Sequence, residues 1–178
     1  CQACLGGQPN LCTAIGLGSM PAPHLKLGSD MVFAGIGTAT FAEETVVPAT
    51  AAIKIPDDVP LDVASLIGCG VMTGVGAAIN TARVRPGSSV AVIGCGGVGI
   101  NVIQGAQIAG AAEIVAVDLV DQKLDWARQF GATHAVTPDQ LLGASSEVTG
   151  GAGFDYVFEV IGRPETIRAA WDATRRGG

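Results

Sequence analysis

The stretch Ser88–Asp118, SSVAVIGCGGVGINVIQGAQIAGAAEIVAVD, decides the fold: it reads as strand, glycine turn, helix, and a second strand ending in an acid. That order is one βαβ unit. Val90 to Ile93 is an uninterrupted apolar run, as suits a strand buried on both faces. Gly94, Gly96 and Gly99 then supply the spacing G-x-G-x-x-G. Gly94 permits the tight turn, Gly96 lets the backbone approach a pyrophosphate, and Gly99 lets the new helix pack closely on the strand. A helix starting there offers unsatisfied N–H groups and about half a positive charge, so an anion docks without a basic side chain.

Glycine-rich turns are common in a chain with 26 glycines, so the context has to carry the reading. Asp118 supplies it. It closes the next strand about 20 residues on, where a carboxylate accepts hydrogen bonds from the adenosine ribose hydroxyls. The same residue selects between cofactors: the 2′-phosphate of NADP would meet a like charge costing roughly 4 kcal/mol at 4 Å and an effective dielectric of 20. Leu119 and Val120 follow, and neither is an arginine that could compensate. NAD is the expected cofactor. The alternative is a strand–helix turn that binds nothing.

Working outward, the 178 residues have ample apolar content for a core and carry a net charge of −6. Lysines and arginines are scattered singly, which leaves no electrostatic footprint for nucleic acid. Val63 to Ala82 and Pro86 to Ala112 are long enough to span a bilayer. Both are interrupted by glycines and by Asn or Gln, and the second holds a strand followed by a helix, so no membrane segment is expected. The chain begins at Cys1 without an initiator methionine and stops at Gly178 on a helix exit, which reads as an internal piece of a longer protein. Five cysteines, unevenly placed, do not describe a secreted disulfide framework, and metal ligation in the reducing cytoplasm fits them better.

Cys1-x-x-Cys4 followed by Cys12 lies in a loop with no hydrophobic period. Thiolates so close suggest a structural zinc with one more ligand upstream; free surface thiols are the alternative. Pro21 to Asp30 reads as irregular, with His24 a solvated loop histidine. Phe41 to Val47 and Ala52 to Ile55 read as short strands, with Glu43 and Glu44 on opposite faces. Pro56 to Pro60 is a turn and Leu61 to Leu66 a short helix. Ile67-Gly68-Cys69-Gly70 then opens a helix over Val71 to Ala82. Near a helix N-terminus the dipole favours a thiolate, which makes Cys69 a candidate ligand or nucleophile, against the alternative of a buried inert cysteine. Beyond the turn, Asp121–Phe130, Pro138–Val148 and Arg163–Thr174 read as helices, alternating with strands at Thr133–Val136 and Phe154–Val160. His134 reads as structural and Cys95 as a small filler. This alternation is the pattern of an α/β fold with a doubly wound parallel sheet, incomplete at its C-terminal end.

Taken together, the cysteine loop, the glycine turn and the runs FAEETVV, LIGCGVMTGVGAA, FGATHAV and FEVIGR make the chain resemble the zinc-dependent medium-chain alcohol dehydrogenases. The likeness is strongest to bacterial members, near the thiol-dependent formaldehyde dehydrogenases. The resemblance implies that residues 1–70 are the end of a mostly β catalytic domain with a zinc-binding loop, and that 71–178 are a truncated Rossmann domain. It implies that Cys1, Cys4 and Cys12 are three of four ligands of a structural zinc, and that Cys69 is one of three ligands of a catalytic zinc, the other two lying upstream of Cys1. Thr73 would face the nicotinamide and Val98 pack near it, with Gly97 beside it in the turn. Asp118 and Lys123 would hold the adenosine ribose, while Ile161 and Arg163 would border the adenine. Gly35 and Ile36 fall where the family lines its alcohol pocket. The implied activity is hydride transfer from a small alcohol to NAD by a cytoplasmic homo-oligomer, with residues 1–178 inactive alone. A zinc-free or non-catalytic dinucleotide-binding protein of the same fold is the rival reading.

Overall fold

The structure, a computed structural model, describes residues 1–8, 11–13, 25–35, 38–47, 49 and 52–178. It divides into two compact units, Cys1–Pro56 and Asp57–Gly178. The division expected after Gly70 therefore falls inside the second unit.

In the first unit, Gln2–Leu5 forms a single helical turn, α1, within the cysteine loop that the sequence suggested would be irregular. Strands β1 (Leu25–Leu27) and β2 (Asp30–Val32) form an antiparallel hairpin that pairs Leu25 with Val32 and Leu27 with Asp30. This corrects the expectation of an irregular segment from Pro21 to Asp30 over its described part, residues 25–30. Gly28-Ser29 is a two-residue hairpin loop, and that turn chemistry overrode the weak strand signal of the flanks. The expected strands Phe41–Val47 and Ala52–Ile55 do not form. Phe41, Val46 and Ile53 are largely exposed, and strand propensity is realised only against a pairing ladder and a buried face. Glu43 and Glu44 are exposed. His24 and Ile36 lie outside the described residues.

The second unit opens with one helical run over Leu61–Thr81. It comprises α2 (Leu61–Ala64), a π-helical turn (Ile67–Val71), α3 (Met72–Gly76) and a second π turn (Ala77–Thr81). Its length and apolar composition would suffice to cross a membrane. One face is committed to close helix packing. A Cβ on Gly74 would come within 2.5 Å of Asn101 Cβ, and one on Gly105 would meet Ala78 Cβ at 3.0 Å. Leu61, Leu66 and Met72 on the run are exposed.

The rest is the α/β domain. Strands β3 (Ser89–Ile93), β4 (Glu113–Val117), β5 (His134–Val136) and β6 (Tyr156–Glu159) form a sheet of order β5-β4-β3-β6, parallel throughout. Helices α4 (Gly97–Ile108), α5 (Asp121–Gln129) and α6 (Leu141–Thr149) make the crossovers, and α7 (Pro164–Ala173) follows β6. The period-two alternation of strand side chains explains why the strand runs are continuously apolar. Val90, Val92, Ile114 and Ala116 pack under α4 and α5 through Val102, Ile103, Leu124 and Ala127. Ala91, Ile93, Val115 and Val117 pack on the other face with Leu141, Phe154, Ala170 and Ala173. Helices on both faces of a parallel sheet are the doubly wound arrangement that the βαβ pattern implied. At the amino ends of the strands, Asp155 accepts from the Ser89 N–H at 2.8 Å and from Arg175 Nε at 2.8 Å, which ties β3, β6 and the exit of α7 together.

Candidate functional site

Connections leave β3 in opposite directions, to β4 on one side and ultimately to β6 on the other, and this reversal opens a crevice at the carboxyl ends of the strands. The glycine turn lies there. Gly94 adopts φ +101°, and a Cβ on it would come within 2.7 Å of Ile161 Cγ1. A Cβ on Gly99 would collide with the Gly94 carbonyl oxygen, so only glycine lets α4 sit this close to β3. Gly96 and Gly97 face open space instead. Gly96 caps α4 with extended backbone and no side-chain hydrogen bond. The first-turn N–H groups of an α-helix have no acceptor within the helix, which leaves this turn suited to an anion.

Asp118 is buried, at 9% exposure, just beyond β4. Its Oδ2 accepts from the Cys95 N–H at 2.8 Å and its Oδ1 from the Val120 N–H at 3.0 Å, while Lys123 Nζ stands 3.7 Å from Oδ2. The carboxylate is thus aimed by the glycine turn itself. A cavity of about 390 Å³ brings together Gly94, Gly96, Asp118, Lys123, Ile161 and Arg163. It falls within the roughly 300–1,000 Å³ of small-molecule sites. Leu119, Val120, Pro138, Val160 and Thr166 complete its wall, and sequence reasoning did not single them out as site residues. Their shared signal is position, since most directly follow the carboxyl end of a parallel strand.

A second, larger cavity of about 900 Å³ brings Cys69 and Gly70 together with Gly96, Gly97, Lys123 and Trp126. Cys69 is exposed there, inside the π turn. The expectation that it sits near a helix N-terminus is corrected: the helix already runs from Leu61, so no free N-terminal dipole acts on the thiol. Thr73 is exposed and precedes Gly74, and a Cβ on Gly74 would lie 2.5 Å from the Val98 carbonyl oxygen, so α3 crosses the start of α4 at Gly74, one residue beyond Thr73. Cys95 is the inert one. It is buried, its thiol contacts the Val117 carbonyl at 3.6 Å, and burial, with the Asp118 charge adding to it, pushes its pKa to about 11.

The first unit holds the metal candidates. Cys1 Sγ lies 3.6 Å from Cys4 Sγ and 3.8 Å from Cys12 Sγ, and all three sulfurs fall within 4.8 Å of one another. Tetrahedral zinc with bonds of about 2.3 Å separates its sulfurs by about 3.8 Å, so the thiols present fit three corners of such a site. Among the described residues this is the only cluster of three metal-ligating side chains. His134 is elsewhere, with Nδ1 3.4 Å from Glu113 Oε2 and 3.0 Å from Thr133 Oγ1 on the strand surface.

A parallel sheet with a glycine turn, a buried acid after the second strand and a shared cavity at the switch point defines a dinucleotide-binding α/β domain. Residues 97–178 match the family described as zinc-binding dehydrogenase. The chain is 41% identical over 194 residues to S-(hydroxymethyl)glutathione dehydrogenase of Paracoccus denitrificans, covering 99% of this chain and 51% of that protein. It is 41% identical to the Saccharomyces cerevisiae enzyme of the same name, over 99% of this chain and 49% of that one. The crystal structure of benzyl alcohol dehydrogenase from Acinetobacter calcoaceticus superposes with a TM-score of 0.83 at 30% identity, over 98% of this chain and 49% of that one. The chain is thus similar along nearly its whole length to the zinc-dependent alcohol dehydrogenase family, whose model its residues 97–178 match. The cofactors expected from the sequence, NAD and zinc, are those of that family. The chain spans about half the length of the curated relatives it matches.

Proposed function

We propose that the protein carrying this chain transfers a hydride from a small alcohol to NAD, and that its substrate is the hydroxymethyl adduct of a thiol with formaldehyde. The observation that carries the hydride-transfer reading is the gathering of Gly94, Gly96, Asp118, Lys123, Ile161 and Arg163 around one cavity at the switch point. The similarity to S-(hydroxymethyl)glutathione dehydrogenases supports the substrate class. When bound, NAD supplies the hydride acceptor and zinc a Lewis acid that polarises the alcohol oxygen.

The residues divide the work. Asp118 and Lys123 orient the adenosine ribose, Ile161 and Arg163 flank the adenine, and the turn from Gly94 through Gly96, Gly97 and Gly99 receives the pyrophosphate. Thr73 and Val98 bear on the nicotinamide and hold it in near-attack geometry. Cys69 is a ligand of the catalytic zinc, and its sharing of a cavity with Gly96 supports a place beside the cofactor. Cys1, Cys4 and Cys12 hold a structural zinc, which requires reduced thiols and favours a cytoplasmic location for a homo-oligomeric enzyme. Since a single cysteine does not hold a catalytic zinc, residues 1–178 alone should not form NADH.

The test is NADH formation by the whole protein with formaldehyde plus glutathione against simple alcohols, for the parent and for Cys69→Ala. Turnover restricted to the thiol adduct and lost in the variant supports the proposal. Full turnover by Cys69→Ala overturns the ligand assignment, and preference for simple alcohols without thiol overturns the substrate class.

A further inference from the structure

We propose that Glu159 is a positioning residue for the adenosine end of the dinucleotide site. This rests on the reading of the switch-point cavity as an NAD site. Glu159 does not line that cavity; its carboxylate holds the loop that does. It closes β6 opposite Ile93. Oε1 accepts from the N–H groups of Ile161 and Gly162, each at 2.9 Å, and from the Thr166 hydroxyl at 2.7 Å. Oε2 accepts from the Gly162 N–H at 3.1 Å. Thr166 lies in the first turn of α7, so one carboxylate joins the strand end, the loop and the helix start.

The loop so held, with the start of α7, is a wall of the cavity, through Val160, Ile161, Arg163 and Thr166. Ile161 also sets the fit of the opposite wall, because a Cβ on Gly94 would lie 2.7 Å from its Cγ1. Burial alone would push the Glu159 carboxyl up. Hydrogen bonds from Thr166, Gly162 and Ile161 outweigh it and hold the group below its ordinary value, so the charged acceptor persists at neutral pH. Gly162 adopts φ +83°, a conformation that the loop can leave at little cost once its N–H loses its acceptor. Only a fraction of molecules would then present the wall, and the apparent dissociation constant rises by the inverse of that fraction.

The test titrates NAD and AMP into the full chain by calorimetry, with urea unfolding midpoints measured alongside, for the parent, Glu159→Ala, Glu159→Gln and Thr166→Val. Glu159→Ala should weaken NAD and AMP alike, on the order of tenfold, corresponding to a wall present about one-tenth of the time. Glu159→Gln keeps an oxygen for the loop N–H groups and should recover part of the loss, and Thr166→Val should weaken both ligands less than Glu159→Ala does. A purely structural role would lower the unfolding midpoint and leave both dissociation constants unchanged, which overturns the inference. So does a loss confined to NAD with AMP unaffected, because it places the effect away from the adenosine end. Should Glu159→Ala not fold, the other two variants carry the test by the same criteria. A parent chain that binds neither ligand overturns the NAD reading and this one with it, a result distinct from a binding parent with a flat variant series.

Discussion

Replacing Asp118 by asparagine removes a charge while keeping a shape, and the structure sets the expected size of two separate effects. The carboxylate accepts from the Cys95 N–H at 2.8 Å and the Val120 N–H at 3.0 Å. Asparagine offers one oxygen. Cys95 is 1% exposed and Val120 46%, so the oxygen should turn to Cys95 while the Val120 N–H finds water. The cost in stability is then about 1 kcal/mol, the difference between a charge-assisted and a neutral hydrogen bond. Asp118→Ala strands the buried Cys95 N–H and should cost about 2–3 kcal/mol. Cofactor choice moves further. A carboxylate repels a 2′-phosphate by about 4 kcal/mol at 4 Å and a dielectric of 20, an upper limit of about a thousandfold in the NAD-to-NADP preference. Lys123, 3.7 Å from Asp118 in the parent, would be left uncompensated and pull in the same direction. Calorimetric titration of NAD and NADP, with urea unfolding of the same proteins, measures both effects. The preference should collapse in Asp118→Asn mainly through tighter NADP binding. An unchanged preference in a folded Asp118→Asn protein refutes the electrostatic account, and equal stabilities of the Asn and Ala variants refute the role given to the Cys95 N–H.

Asp155 predicts a pH dependence of stability. Its carboxyl is held below the ordinary 3.8 first by the Ser89 N–H and then by Arg175, so its contribution is complete above that value and is lost as pH falls through the depressed folded pKa. The difference in unfolding free energy between the parent and Asp155→Asn should be constant above about pH 5 and narrow below about pH 4, as followed by urea titrations across that range. Gly99→Ala places a methyl against the Gly94 carbonyl and should cost about 1–3 kcal/mol or more, with a parallel loss of NAD affinity measurable by calorimetry. Brief alkylation with iodoacetamide at pH 8, read by peptide mass spectrometry, should label the exposed Cys69 of the metal-free chain and spare the buried Cys95, whose pKa is about 11. Cys12→Ser should lower zinc content by elemental analysis and Cys95→Ala should not, because Cys12 belongs to the sulfur cluster and Cys95 is buried in the core from within the glycine turn.

The α/β half was legible because its signals agree with each other. The apolar runs at β3 and β4 are continuous, the helix that follows opens on glycine, and both faces of the sheet are covered, so local pattern and global packing ask for the same thing. The first unit has no such agreement. Phe41 to Val47 has the composition of a strand, but composition reports only that a residue suits a pleated, half-buried surface, and no such surface forms around it among the described residues. Leu25–Leu27 shows the converse. Its strand was hidden behind a lysine and a short apolar run, and only the Gly28-Ser29 loop announced it.

Cys69 and Glu159 mark where sequence reading stops for a physical reason. Placing Cys69 at a helix N-terminus assumed that the helix begins at the glycines, whereas Ser65 and Leu66 continue α2 into the π turn and the helix reaches Cys69 from behind. Glycines in a helix lower its propensity by roughly 1 kcal/mol each, but close contact between Gly74 and the start of α4 makes the same residues favourable in the tertiary structure. Glu159 failed to stand out for a different reason. Its neighbours in FEVIGR drew the attention as site residues, and an acid at a strand end reads as solvated unless its acceptors are counted. What the fold adds is that Ile161, Gly162 and Thr166 all return their donors to this one carboxylate. A strand-terminal acid followed two to three residues later by a glycine and then by a threonine in the next helix can therefore be sought in other chains as a loop clamp, by the geometry of its donors.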